Sequence, residues 1–72
     1  HNHTELYHTL RLYLSLERNV LQTANKLFIH RSTFLYRLDR IKEILQSELD
    51  DPEEIFYLEL SFRLLEQEQE KE

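Results

Sequence analysis

Seventy-two residues run in this chain without a single glycine, and its one proline is Pro52. With so few breakers the chain is strongly helix-biased, and an all-α domain follows. At this length a single hydrophobic core is only marginally sufficient. The absence of cysteine removes disulfides and cysteine–metal sites and leaves the redox compartment open. Dense leucine packing and association with another chain or domain are the supports that remain. No apolar run is long enough to span a bilayer, and no signal-peptide pattern is present.

The spacing predicts four helices, over about residues 5–16, 20–27, 31–45 and 52–66 of a single 1–72 domain. Thr4 can cap the first, in which Leu6, Leu10, Tyr13 and Leu14 share a face widened by Leu12 and Leu16. Asn19 is a good cap for the second, with Val20, Ala24 and Leu27 inward. Phe28, Ile29 and His30 form a three-residue turn, with Ile29 plugging the angle between helices. The third helix buries a seam of Phe34, Leu38, Ile41 and Leu45. Ser32, Tyr36, Asp39, Arg40 and Glu43 then point outward, with Thr33 and Arg37 on one shoulder and Arg31, Leu35 and Lys42 on the other.

Asp51, Pro52 and Glu54 announce the last helix through a carboxylate cap, a proline at the first position and a glutamate three residues on. It carries two apolar seams, one of Ile55, Leu58, Phe62 and Leu65, the other of Phe56, Tyr57, Leu60 and Leu64. A helix apolar on two sides needs two neighbours. The polar tail 66–72 is expected to fray.

Two short amphipathic helices around such a turn make a helix-turn-helix, which delivers its second helix into the DNA major groove. The net charge of -5 opposes that reading only until its distribution is considered. Arg18, Lys26, Arg31, Arg37, Arg40 and Lys42 face only Asp39 within residues 18–42, a local balance of +5. Residues 43–72 hold eleven acidic side chains against Arg63 and Lys71. Screening restricts each patch to roughly 8–10 Å at ordinary salt, so the basic segment governs phosphate attraction.

Arg31, in the first turn of the recognition helix, can reach a guanine edge or a phosphate; otherwise it is a solvated surface arginine. Ser32 and Thr33 can donate to phosphate at the helix N-terminus, or simply cap it. Tyr36 can meet a sugar or a thymine methyl, or pack on the second helix. Arg37 and Arg40 are phosphate candidates, or partners of Asp39, Glu43 or Glu48. Asn19 is chiefly a cap, and Gln22 beside it can touch the backbone. His30, expected to be buried in the turn, can cap the recognition helix or reach a phosphate. It has no base, nucleophile or glycine loop around it, so the chain is not read as an enzyme. His1 and His3 form a weak metal-binding pair at best, and Asp50, Asp51, Glu53 and Glu54 fit capping better than a cation site. No cofactor or metal is expected.

The residues Asn19, Thr23-Ala24, Leu27, His30-Arg31, Thr33, Tyr36-Arg37 and Arg40-Ile41, followed by Leu49-Asp50-Asp51-Pro52, resemble the C-terminal helix-turn-helix domain of PucR/CdaR-type bacterial transcription regulators. Thr4-Glu5-Leu6 and Thr9-Leu10 resemble its start, so the likeness runs to about Leu65. It implies a four-helix domain related to the DNA-binding end of the nucleoid protein Fis, carried behind upstream sensory domains in a cytoplasmic regulator of metabolic genes. It implies double-stranded DNA as partner, with His30, Arg31, Ser32, Thr33, Tyr36, Arg37 and Arg40 facing it. Leu35 stands where the family usually has arginine, Ser32 where it has asparagine, and Arg18 where glycine is common. A homodimer reading two half-sites is expected, because one domain makes a small interface. The alternative is a helical protein–protein interaction or dimerisation module that does not touch DNA.

Overall fold

The computed structural model describes residues 3–70, the side chains of His3 and Glu70 excepted. It is all-α: α1 spans His3–Ser15, α2 Val20–Leu27, α3 Arg31–Leu45 and α4 Pro52–Glu70. Helix α1 packs against each of the other three, and α2 crosses α3. The core joins Leu10, Tyr13 and Leu14 of α1 to Ala24 of α2, Phe34, Leu38 and Ile41 of α3, Leu49 of the last loop and Phe62 of α4. Ala24, 2 % exposed, allows the close crossing of α2. Ile29 packs on the core from the turn.

A chain without glycine must make left-handed residues from side chains that resist them. Glu17, Arg18, Phe28, Gln46 and Leu49 all have positive φ. The ends of α1, α2 and α3 close in one way. The amide of Arg18 bonds the Tyr13 carbonyl at 2.8 Å, that of Ile29 bonds Ala24 at 3.1 Å, and that of Ser47 bonds Lys42 at 3.1 Å. Each reaches back over a left-handed residue to satisfy a carbonyl that the helix end would leave bare. The Arg18 guanidinium then donates to the Leu49 carbonyl at 3.0 Å, tying the first turn to the last loop.

Several expectations are corrected. Thr4 lies inside α1, which already runs from His3. Leu45 is 37 % exposed, because α3 ends there and Gln46 turns away. On α4 the buried stripe follows Ile55, Leu58 and Phe62 but not Leu65, which is 54 % exposed. The next residue on that stripe is Glu66, four beyond Phe62, and it meets Arg11 and Tyr7 of α1. The helix continues through Glu70, past the point at which fraying was expected. The capping box of α4 is incomplete: the Glu53 amide reaches Asp51 at 3.3 Å, while Glu54 accepts from Ser47. The suggested His1–His3 pair lies outside the described side chains.

Candidate nucleic-acid interface

Among the described residues the second apolar seam of α4 is left largely open to solvent. Phe56, Tyr57, Leu60 and Leu64 are all exposed. The basic, hydroxyl-bearing surface lies elsewhere, on α3.

Helix α3 is oriented by burial of one face. Phe34, Leu38 and Ile41 are each 3 % exposed or less, which turns Ser32, Tyr36 and Arg40 outward along a single line. Arg31 and Thr33 flank that line at its N-terminal end, and all five are exposed. Among the described residues, neither Arg31 nor Arg40 has a carboxylate at salt-bridge distance; Glu48 pairs with Lys42 instead, at 3.9 Å. Tyr36 is 67 % exposed.

His30 is exposed rather than buried, and it caps α3. Its backbone is extended, and its Nδ1 accepts from the Ser32 amide at 3.1 Å. A neutral ring accepting at Nδ1 carries its proton on Nε2, so the outer edge is a donor. The free amides at the start of α3, this donor and the nearby hydroxyls together make an anion-facing end. At α2 the Asn19 side chain accepts from the Gln22 amide at 2.9 Å. Asn19 is therefore committed to capping, while the Gln22 side chain remains exposed beside it.

Arg37 is placed differently from its neighbours. Its guanidinium donates to the Thr9 hydroxyl at 3.2 Å and lies 3.3 Å from Glu5, so it bridges α3 to α1 instead of standing on the outward line. Thr9 is fully buried and donates to the Glu5 carbonyl at 2.9 Å. Thr23, equally buried, donates to the Asn19 carbonyl at 2.6 Å and steadies the start of α2.

Sequence reasoning gave no outward role to Phe28 or Leu21, yet both are exposed, Phe28 almost completely at 94 %. The signal was present. Leu27, Phe28 and Ile29 are three consecutive apolar residues in a tight turn, and such a turn can aim only some of them inward. Among the described residues no group of three or more metal-ligating side chains comes together, and no helix is long and apolar enough to cross a membrane.

With this geometry in view, the relationships to known proteins take on meaning. A model of the PucR C-terminal helix-turn-helix domain matches residues 6–64. The chain is 41 % identical over 59 residues to the purine catabolism regulatory protein of Bacillus subtilis (strain 168), an alignment covering 82 % of this chain and 11 % of that relative. The chain thus spans only a small part of the curated relative it matches. No solved structure matches it.

Proposed function

The chain belongs to the family of PucR C-terminal helix-turn-helix domains, and from that premise we propose that it binds double-stranded DNA sequence-specifically as part of a bacterial transcription regulator. Helix α3 enters the major groove and α2 braces across the backbone. The observation that carries this reading is the exposed line of Ser32, Tyr36 and Arg40, flanked by Arg31 and Thr33, on the side of α3 opposite its buried seam.

Roles divide by chemistry. Arg31, Thr33 and Tyr36 read base edges, while Arg40, Ser32, His30 and Gln22 grip phosphates and set the register. Asn19 shapes the start of α2, and Arg37 holds α3 on α1 rather than lying in the groove. A single module covers about 600–1,000 Å² of DNA-facing surface, which favours a homodimer on half-sites about 34 Å apart. The relative's greater length supports a longer chain, and its printed name a role in metabolic control, purine catabolism among the candidates. A cytoplasmic location and upstream sensory domains belong to the same proposal.

The exposed seam of α4 favours a second reading, a helical docking module that leaves DNA alone. Selection of bound duplexes from a random pool separates the two. Enrichment of one motif, lost in Arg31→Ala, is expected; a pool that stays random supports the docking module.

A further inference from the structure

Phe28 is the most exposed large apolar side chain described, at 94 %. It stands at φ 58°, ψ 40°, just past the end of α2, and its amide is turned back to the Ala24 and Asn25 carbonyls. Glycine or asparagine suits that position better, since a Cβ in left-handed backbone costs roughly 1–2 kcal/mol. The apolar contact that accompanies such a helix end is made by the next residue, Ile29, which packs on the core. Among the described residues the Phe28 ring meets no other ring and no cation. The fold therefore makes no use of it and bears both its exposure and its backbone strain.

Its position indicates what could use it. Phe28 precedes Arg31 by three residues, so their Cα atoms are at most about 10 Å apart. The major groove is about 12 Å wide. With Arg31 on a base edge, a side chain at that distance meets the groove wall, whose apolar part is deoxyribose. Lys26 and Arg31, two residues before it and three after it in the chain, are both exposed, a setting that suits a polyanion. The apolar seam of α4, by contrast, lies on a helix whose residues 52–70 hold six glutamates and one arginine, Arg63.

We propose that Phe28 is a DNA-contact residue whose ring packs on the deoxyribose carbons of the strand bordering the groove that α3 enters. The contact rests on the DNA-binding reading above, and it is independent of base identity. Being apolar, it adds affinity without releasing counterions.

The test is Phe28→Gly, with Phe28→Asn beside it, because both residues tolerate the left-handed backbone and keep the domain folded. Binding to a labelled mixed-sequence duplex is followed by fluorescence anisotropy across a potassium chloride series. Both variants are expected to melt no earlier than wild type, to bind about tenfold more weakly at every salt concentration, and to keep the wild-type salt slope. Wild-type affinity in either folded variant overturns the contact. So does a weaker affinity with a shallower slope, which would mean that phosphate contacts had been displaced. If the wild type itself shows no salt-sensitive binding, the DNA reading fails first and the contact with it.

Discussion

Arg37 and Thr9, 28 positions apart, are joined by a hydrogen bond from the guanidinium to a fully buried hydroxyl, at 3.2 Å. The pair fixes α3 to α1 just below the surface that faces outward. Removing the arginine deletes a charge-assisted hydrogen bond between α3 and α1, at a cost of about 1–2 kcal/mol. Arg37→Ala is therefore expected to lower the melting temperature by about 5–10 °C in calorimetry. Below that temperature its DNA affinity should keep the wild-type salt slope. A lower slope with unchanged melting would return Arg37 to the phosphate-binding set.

Arg31 and Arg40 are both exposed cations on α3 but are assigned different work. Arg31→Ala should alter which sequences bind, with about 1–3 kcal/mol lost on the preferred duplex. Arg40→Ala should weaken all duplexes alike and flatten the salt slope by about one. Competition between selected and scrambled duplexes distinguishes them; identical behaviour of the two variants would remove the division between base and backbone contacts.

The contact between Arg11 and Glu66 makes the end of α4 sensitive to acid. Arg11 donates from Nε at 2.7 Å and from Nη2 at 3.2 Å, and the charge-assisted bonds hold the Glu66 carboxyl below its ordinary range. The phenol of Tyr7, pushed up by burial and by Glu66, donates to the same carboxylate. Because the folded value is depressed, the stabilisation is present above the usual carboxylate range and disappears as pH falls through the folded value. Wild type should lose helicity at the end of α4 on acidification below about pH 4. Glu66→Gln should show that lower helicity already at pH 7, and circular dichroism across the series checks it.

The two apolar surfaces of the chain should respond oppositely to substitution. Leu49, 1 % exposed in the loop before α4, is core, and Leu49→Ala should cost about 2–5 kcal/mol in urea unfolding. Leu64, 55 % exposed, is not, so Leu64→Asp should change stability by no more than about 0.5 kcal/mol. A large loss at Leu64 in dilute, monomeric protein would mean that α4 packs differently from the arrangement described.

How much of this was legible in the sequence follows from what each feature depends on. Helices α2 and α3 could be read because Ala24, Phe34, Leu38 and Ile41 fall on helical spacing and Asn19 marks a start. Leu49 could not, since a single leucine in a polar loop has no period, and the bond from Arg18 to its carbonyl joins turns 31 positions apart. The end of α4 was misjudged because polarity was equated with fraying, whereas Glu66 is anchored by Arg11, a pairing across 55 positions. On the candidate interface, spacing separated the outward line from the seam. It could not decide the shoulders: Arg37 and Arg31 both border the seam, and only the presence of Thr9 and Glu5 beneath α3 draws Arg37 inward. His30 was assigned to the turn correctly but to its interior wrongly, because a cap must sit at the open end of a helix.

The central claim is that this domain grips duplex DNA through α3, and equilibrium binding of the wild-type chain to a mixed-sequence duplex at increasing salt tests it most directly. Each phosphate neutralised by a lysine or arginine adds about -0.9 to the logarithmic slope, and the uncharged donors Ser32 and Gln22 add nothing. Arg40, with Arg31 and Lys26 nearby, therefore gives a slope of about -1 to -3. The account expects measurable affinity at low salt that falls along such a line. A folded domain that fails to bind at low salt, or binds with an affinity that salt does not move, would contradict it.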